Sequence, residues 1–401
     1  MNKKVSFPLI LVFSLFFLWA ISSNLLPTMI RQLMKTCELN TFEASFTESA
    51  YWLAYFICPI PIAMFLKRFS YKAGIIFGLL LAAVGALLFF PASFLNSYAV
   101  YLAVFFVIAT GMCFLETAAN PYVTVLGNPE TASRRLNLAQ AINGLGAFFA
   151  AMFLSKAVLG SGKFSHVYML LGGVLILAAL IFVFARLPKT EDELKPKVVD
   201  DKQLSEKPRL IDFSVLHRSH LRWGVIAQFF YNGGQTAINS LFLVYCCTYA
   251  GVDESVATTW FGIYMLCFLL GRWVGTLLMI RFNPQQMLLV YALVNVCLCG
   301  VIVAFGGMIG LYCMMGISFF MSIMYPTQFS LALKGLGEQT KSGSAFLVMA
   351  IVGNACVPQF TAFVMHHSAA FYHVAYLVPL VCFLVCAYYG WRGYKVIDTC
   401  D

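Results

Sequence analysis

Long runs of apolar residues recur along this 401-residue chain, and they restrict its fold more than any other feature. Each run lasts about 20 residues, the length that an α-helix needs to cross a bilayer. Hydrophobic residues make up 61% of the chain and charged residues only 11%, whereas a soluble domain carries roughly 25% charged residues. Membrane-spanning strands would need shorter, alternating segments. The sequence therefore predicts an all-α membrane protein.

The apolar segments number twelve, and the one long polar stretch lies between the sixth and the seventh. This pattern predicts a six-helix half over 1–187, a cytoplasmic linker over 188–222 and a second six-helix half over 223–401. The halves resemble each other, since Lys67 and Arg281 occupy equivalent loops and Pro121 and Pro326 lie late in equivalent helices. Two similar six-helix halves are typical of parallel-repeat transporters.

The basic residues predict the orientation. If the N-terminus is cytoplasmic, only Arg31, Lys35, Lys156 and Lys163 of the 26 Lys and Arg fall on the far side. Cytoplasmic loops are enriched in Lys and Arg, so both termini are predicted to be cytoplasmic. The same distribution explains the net charge of +9 as topology, and no nucleic-acid partner is expected. The first apolar run is longer than a signal-peptide core and is expected to remain as a helix.

Glu116 is the one acid that lies well inside an apolar segment. An ionised carboxylate facing lipid there would cost several kcal/mol, so it is expected to face an internal cavity, to be paired or to be protonated. Burial favours the neutral form of a carboxyl, which would let a proton gradient load and unload it. The alternative is a structural hydrogen bond to a neighbouring helix. Intramembrane ionisable groups are functional by default, and Glu116 is therefore predicted to couple transport to protons.

Polar amides surround this acid in the predicted helices. Asn120 follows Glu116 by one helical turn, and the next segment carries Gln140 and Asn143. The first segment adds Asn24. The seventh carries a stripe at helical spacing, which consists of Gln228, Asn232, Gln235 and Asn239. Amides both donate and accept hydrogen bonds, which suits a neutral polyhydroxylated ligand. These eight residues are the predicted substrate-binding residues, with interhelical hydrogen bonding as the alternative for each.

The sequence gives little support for an anionic substrate, for catalysis or for a bound cofactor. An anionic substrate would require a buried Arg or Lys, and none is expected deep in these helices. Tyr231, Tyr325 or Phe346 is a possible stacking partner for a sugar ring. The Gly233-Gly234 pair within the stripe is expected to serve close helix packing. No catalytic, phosphate-binding or metal-binding pattern stands out, so neither an enzyme nor a cofactor is predicted.

One long motif is recognisable as a family signature. It comprises Phe114-Leu115-Glu116-Thr117-Ala118-Ala119-Asn120-Pro121-Tyr122-Val123-Thr124-Val125-Leu126-Gly127, followed by Arg135-Leu136-Asn137-Leu138-Ala139-Gln140-Ala141-Ile142-Asn143. The chain resembles the fucose–galactose–glucose:proton symporter family of the major facilitator superfamily, in particular the bacterial L-fucose:proton symporters. The resemblance extends over nearly the whole chain and implies the major facilitator fold with twelve transmembrane helices in two six-helix halves.

The resemblance also implies roles for individual residues. An Asp of the first helix and the Glu of the motif serve proton coupling in the fucose symporters, and that Glu matches Glu116. The cavity amides of those proteins match Asn24, Gln140 and Asn143. The Asp has no counterpart, because an ungapped alignment places Pro27 at its position. Proline removes a backbone hydrogen bond and would also alter the helix there.

These implications define the expected function: proton-coupled uptake of an L-fucose-like monosaccharide by alternating access. Glucose, galactose, mannose or N-acetylglucosamine is the alternative substrate. Two alternative functions are a facilitator that lacks proton coupling and a non-transporting sugar sensor. The partners are expected to be a monosaccharide, protons and membrane lipid. The protein is expected to be a monomer in the bacterial inner membrane.

Overall fold

The computed structural model describes residues 3–39, 41–95, 97–154, 164–190, 212–367 and 372–396. Within these ranges it contains helices and no strand. The α-helices are α1 Lys3–Asn24, α2 Leu26–Thr36, α3 Thr41–Ile57, α4 Pro59–Arg68, α5 Tyr71–Leu95, α6 Tyr98–Val125, α7 Ala132–Phe149, α8 Phe164–Phe184, α9 Ser219–Thr248, α10 Glu254–Leu278, α11 Pro284–Phe305, α12 Gly307–Met321, α13 Met324–Ala332, α14 Thr340–Met349, α15 Gly353–His367 and α16 Leu377–Tyr388.

The described helices include 9 that are long and apolar enough to cross a membrane, or 10 if the bent pair Phe46–Ile57 and Pro59–Arg68 is one span. The predicted fifth and seventh spans correspond to α7 and α9, whose amides and charges make them less apolar. Both helices line up with predicted segments, so the architecture is consistent with twelve spans. The prediction of an all-α membrane protein is confirmed.

The first predicted span is broken near Pro27, the position at which the resembled symporters have an Asp. Helix α1 ends at Asn24 and α2 begins at Leu26, with Pro27 in its first turn. Backbone N–H groups in a first helical turn have no intrahelical acceptor, so proline costs little there. The expected alteration of the helix at Pro27 is thus observed as a new helix start.

The described residues group into two compact units. Each unit contains one short segment that is distant in sequence from the rest of that unit. One unit consists of Met1–Ala132, Ile142–Val215 and Gly335–Met349. The other consists of Ser133–Ala141, Leu216–Lys334 and Ala350–Asp401. The predicted halves at 1–187 and 223–401 remain a prediction, and most of the linker lies outside the described residues. The start of α7 and the helix α14 each pack with the unit that holds mostly the other half of the sequence.

Small residues allow α9 to pack closely on α15 and α16. A Cβ atom at Gly233 would overlap the side chain of Val357, and one at Gly234 would lie 2.9 Å from the Cβ of Cys382. Membrane helices gain packing energy when small residues let their backbones approach. The glycine pair in the amide stripe therefore serves packing, as expected from the sequence.

The end of the linker is fixed by Asp212. Its carboxylate accepts hydrogen bonds from the backbone N–H and the hydroxyl of Ser214, at the start of the 3₁₀ helix Phe213–His217. It also accepts one from Nε2 of Gln339 at 2.6 Å. The hydrogen bond from the Ser214 side chain, aided by that from Gln339, lowers the pKa of Asp212 below its usual value. The ionised form is therefore the one that holds the linker end.

Replacing Asp212 with alanine is expected to lower stability by about 1 kcal/mol, the usual cost of losing such a cap. Because the folded-state pKa is lowered, the stabilisation is present above the ordinary aspartate pKa and is lost as pH falls through the folded value. Thermal unfolding of wild type and Asp212→Ala in detergent should differ at pH 7 and converge in acid. A difference that persists undiminished in acid would contradict this assignment.

Candidate functional site

Glu116 lies in the interior of α6 and is only 5% exposed. The hydroxyls of Tyr51 and Tyr55 on α3 are close enough to interact electrostatically with its carboxyl group. Asn120, one turn further along α6, is fully buried. The structure thus places Glu116 and Asn120 inside the protein, as the sequence predicted, and brings Glu116 within electrostatic range of two tyrosines that the sequence reasoning had not selected.

Three aromatic side chains on α3 form a cluster beside this acid. The rings of Tyr51 and Tyr55 stack with centroids 5.6 Å apart, and Trp52 contacts both edge-on. Trp52 is half-buried, whereas both tyrosines are buried. Tyr and Trp side chains have an apolar ring face and a polar group at the edge. A sugar likewise has apolar C–H faces and polar hydroxyl groups, so such rings can bind both of its surfaces. The spacing i, i+1, i+4 in a predicted helix was the available sequence signal, and it was missed among the 38 Phe and 19 Tyr of the chain.

The amides of α1 and α7 are placed differently. Nδ2 of Asn24 donates to the carbonyl of Ala20 within α1, and the side chain of Asn24 is exposed. Nδ2 of Asn143 donates to the carbonyl of Phe16 at 3.0 Å, which joins α7 to α1. The Nδ2 atom of Asn143 is therefore engaged in an interhelical hydrogen bond, and its substrate-binding role stays a prediction.

The stripe on α9 is mostly engaged within the protein. Nε2 of Gln228 donates to the carbonyl of Tyr325 at 3.1 Å, and Nδ2 of Asn232 donates to the carbonyl of Gln228. Oδ1 of Asn239 accepts from the hydroxyl of Tyr264 at 2.6 Å. The bonds of Gln228 and Asn239 connect α9 to neighbouring helices, which was the alternative weighed for each amide, whereas that of Asn232 lies within α9.

Gln235 differs from the other three members of the stripe. It is half-buried, and its amide makes no hydrogen bond with another described residue. A half-buried amide with both its donors and its acceptor available is the arrangement that a hydroxylated ligand needs. Within the stripe, Gln235 is therefore the strongest candidate for a ligand contact.

The aromatic residues that the sequence suggested for stacking are all enclosed. Tyr231 is fully buried and its hydroxyl donates to the carbonyl of Met321 at 2.9 Å. Tyr325 is 7% exposed, with its ring 6.4 Å from that of Tyr231. Phe346 is 7% exposed and packs on Phe213. Because these three side chains are enclosed by other residues, the rings of α3 are the better candidates for stacking on a sugar.

One expectation from the sequence is wrong: a buried basic residue does occur in the helices. Arg272 on α10 is 8% exposed, and its guanidinium lies 4.5 Å from the ring of Phe268. Lys341 on α14 is 6% exposed, with its ammonium 4.8 Å from the ring of Tyr71. Both residues lie near the end of an apolar run, and sequence position alone does not reveal whether another helix covers that end.

A cavity of about 490 Å³ lies among α9, α15 and α16, but its chemistry does not suit a sugar. Its lining consists of apolar side chains and two thiols: Phe229, Phe230, Cys356, Val357, Phe360, Val364, Val374, Leu377, Val378, Val381 and Cys382. Sugar hydroxyls without hydrogen-bond partners would lose several kcal/mol on entering it. The candidate site is therefore the polar environment of Glu116, and Gln235 is a separate candidate contact in the other unit.

The fold and the buried acid define a polytopic helical membrane protein with polar chemistry inside its bundle. Comparison with known proteins gives the class. The model of the Major Facilitator Superfamily matches residues 9–358. The L-fucose-proton symporter of Escherichia coli is 39% identical over 96% of this chain and 92% of that protein. The glucose/galactose transporter of Brucella abortus is 35% identical over 98% of this chain and 96% of its own.

A solved structure agrees with these relatives. A Major Facilitator Superfamily transporter in the outward conformation superposes with a TM-score of 0.88 at 36% identity, and the match covers 98% of this chain and 100% of that one. The chain belongs to the Major Facilitator Superfamily. The fold predicted from the sequence is confirmed, as is the expectation that the chain belongs with transporters and not with enzymes.

Proposed function

We propose that this protein takes up a monosaccharide by alternating access, together with protons. The observation that supports this most is Glu116, a carboxyl group buried in α6 beside the aromatic cluster of α3. Intramembrane acids are costly, and their usual role is in ion pathways and proton relays. Glu116 takes up the coupled proton, and the rings of Tyr51, Trp52 and Tyr55 contact the sugar. Gln235 is the amide of its stripe proposed to contact a hydroxyl, because the other three are engaged within the protein.

The substrate is proposed to be L-fucose or a sugar of similar stereochemistry. The name of the Escherichia coli relative supports fucose, and that of the Brucella abortus relative supports glucose or galactose as the alternative. Mannose and N-acetylglucosamine remain further alternatives. The aromatic cluster and the amides suit a neutral hydroxylated ring in each case.

A facilitator without proton coupling is the second candidate, and the first helix favours it. Neither α1 nor α2 contains an acid, and Pro27 stands where the family's Asp is expected. If that Asp is required for coupling, Glu116 alone would bind sugar without exchanging a proton. Uptake would then stop at equal concentrations on the two sides.

The setting of the protein is part of the proposal. We place it in the inner membrane of a bacterium, as a monomer with both termini cytoplasmic, surrounded by lipid and without a nucleic-acid partner. The basic loops support this orientation. The proton is the only coupling ion, and no further cofactor is proposed.

Counterflow in proteoliposomes tests the substrate. Vesicles preloaded with one unlabelled sugar from a panel are diluted into labelled L-fucose, and we expect transient uptake when the internal sugar is a substrate. L-Fucose and close stereoisomers should support it, and disaccharides should not. Absence of counterflow with every internal monosaccharide would refute L-fucose as a substrate, and the same experiment with labelled glucose or galactose outside would then test the alternatives. Proton movement during L-fucose entry, read with a pH-sensitive dye, separates the symporter from the facilitator.

A further inference from the structure

The apolar cavity among α9, α15 and α16 has no part in the proposed transport, and all three helices belong to the same unit. It is open at the protein surface, since two of its lining residues, Phe360 and Val381, are 57% and 50% exposed. We call it the apolar groove. The spans Gly337–Met365 and His373–Gly393, which include most of α15 and all of α16, are long and apolar enough to cross a membrane. The apolar groove therefore faces hydrocarbon.

The apolar groove extends over one half of the membrane. Its lining residues on α15 run from Cys356 to Val364, and those on α16 and the turn before it run from Val374 to Cys382. Each stretch rises roughly 12 Å at helical geometry, which is close to half of the hydrocarbon core of roughly 30 Å. Val364 and Val374 lie beside the connection between α15 and α16, which is predicted to be on the outer side. The groove thus follows the outer leaflet to about the middle of the membrane.

Small buried residues and phenylalanines give the apolar groove its shape. Val357 and Cys382 belong to a buried cluster with Ala237. Phe229 and Phe230 on α9 pack against that cluster and contact each other edge-on, with ring centroids 5.5 Å apart. A hydrocarbon chain in such a recess contacts protein on several sides, and dispersion attraction grows with each contact. The groove therefore holds a chain more firmly than a flat part of the surface does.

The size of the apolar groove excludes a whole helix of a second copy as its occupant. A volume of about 490 Å³ over a length of roughly 12 Å corresponds to a mean cross-section of roughly 40 Å². An α-helix with its side chains is roughly 10–12 Å across and therefore needs roughly 80 Å² or more. An acyl chain is much thinner than a helix, so the chains of a lipid are the occupants that fit.

The outer end of the apolar groove lies next to two histidines. His367 follows Val364 by less than one helical turn and is exposed, and its Nδ1 atom is 3.0 Å from the carbonyl oxygen of Phe363. His373 directly precedes Val374 and is half-buried. A histidine side chain has an apolar body and a polar tip, which suits the boundary between hydrocarbon and headgroups. A lipid with its chains in the groove thus has its headgroup at the level of these imidazoles.

We propose that the apolar groove binds the acyl chains of a diacyl phospholipid of the outer leaflet, and that this lipid stays bound while the surrounding lipids exchange. The proposal is independent of the proposed transport function, because it depends only on the shape, chemistry and depth of the groove. The bound lipid fills the recess among α9, α15 and α16 and stabilises their packing. A ligand that binds only the folded protein also raises its thermal stability.

Native mass spectrometry of protein extracted in a mild detergent tests the proposal. Wild type should retain a mass that corresponds to a bound phospholipid. Val381→Trp, which places a large ring in the apolar groove, should reduce the lipid-bound fraction several-fold. The matched control is Val290→Trp on α11, because Val290 is 54% exposed, lies in the same unit and does not line the groove. Equal lipid retention by the two variants would overturn the proposal.

A photoactivatable group near the end of an acyl chain locates the lipid. The protein is placed in nanodiscs of phosphatidylethanolamine and phosphatidylglycerol with a trace of phosphatidylethanolamine that carries a diazirine on its chain. Cross-linked peptides, identified by mass spectrometry, should be those with Phe360 and Val381, with several-fold weaker labelling around Val290. Even labelling of these exposed faces would overturn a fixed site. A dimer that Val381→Trp dissociates would show that a second copy covers the groove, and would also overturn the proposal.

A milder change keeps the test valid if Val381→Trp does not fold. Phe360→Ala removes an exposed side of the apolar groove, and Phe305→Ala on α11 removes a ring that is 70% exposed elsewhere in the unit. Phospholipid added back to delipidated protein should raise the Tm of wild type and of Phe305→Ala, and should raise that of Phe360→Ala less. An equal rise in all three proteins would contradict binding in the groove.

Discussion

Glu116→Gln is expected to abolish sugar accumulation driven by a pH gradient. Glutamine keeps the shape and the hydrogen-bonding capacity of the side chain but cannot exchange a proton. With one proton per sugar, wild type should accumulate sugar about tenfold for each unit of pH difference, since one unit corresponds to about 1.4 kcal/mol. The variant should stop at equal concentrations inside and outside. Labelled sugar in proteoliposomes with an imposed gradient measures this ratio.

The control for this experiment is Glu130→Gln, which makes the same chemical change at an exposed position. It should accumulate sugar as wild type does. Counterflow, which needs no proton movement, should survive in both variants if they are folded. Gradient-driven accumulation by Glu116→Gln at the wild-type level would show that the coupling proton binds elsewhere.

Gly353→Val is expected to prevent α15 from packing on α9. A Cβ atom at Gly353 would overlap the backbone carbonyl oxygen of Phe229 and would lie 3.3 Å from the backbone nitrogen of Gly233. A backbone atom inside a helix cannot move aside as a flexible side chain can. Overpacking of this kind typically costs 1–3 kcal/mol and occasionally more. We expect most of the variant to be lost as folded, monodisperse protein in fluorescence-detected size-exclusion chromatography.

Gly300→Val provides the comparison, because a Cβ atom at Gly300 would meet nothing within 4 Å. Both substitutions replace a glycine in a helix of the same unit by the same β-branched residue. Equal yields of the two variants would show that the close approach of α9 and α15 is unimportant for stability.

The fold was largely predictable from the sequence because the bilayer imposes one rule on every span: backbone polar groups have to be satisfied within the helix. Long apolar runs therefore marked most helices, and the cost of burying Glu116 identified the central acid. The motif around it added the family. These inferences depend on local composition and on one large energetic penalty, both of which can be read without knowing which helices are neighbours.

The remaining features depend on neighbours and were not predictable in the same way. An amide at helical spacing can face a ligand or another helix, and the periodicity of Gln228 and Gln235 is the same in both cases. Only the structure shows that Gln228 is bonded to Tyr325 whereas Gln235 is not. No buried Arg was expected in the helices, yet the guanidinium of Arg272 is buried and donates to the carbonyls of Gln140 and Ser322.

The exchange of segments between the two units has a consequence for the order of synthesis. The unit that contains residues 1–132 also includes Gly335–Met349, where the hydroxyl of Ser344 donates to the carbonyl of Thr117 at 3.1 Å. Chains emerge from the ribosome N-terminus first. The early helices must therefore wait in the membrane, with the surface around Thr117 uncovered, until most of the chain has been made. The segment Ser133–Ala141 is in the reverse situation: it is synthesised long before the helices of the unit to which it belongs. Each unit therefore includes a segment that is synthesised at a different time from the rest of that unit.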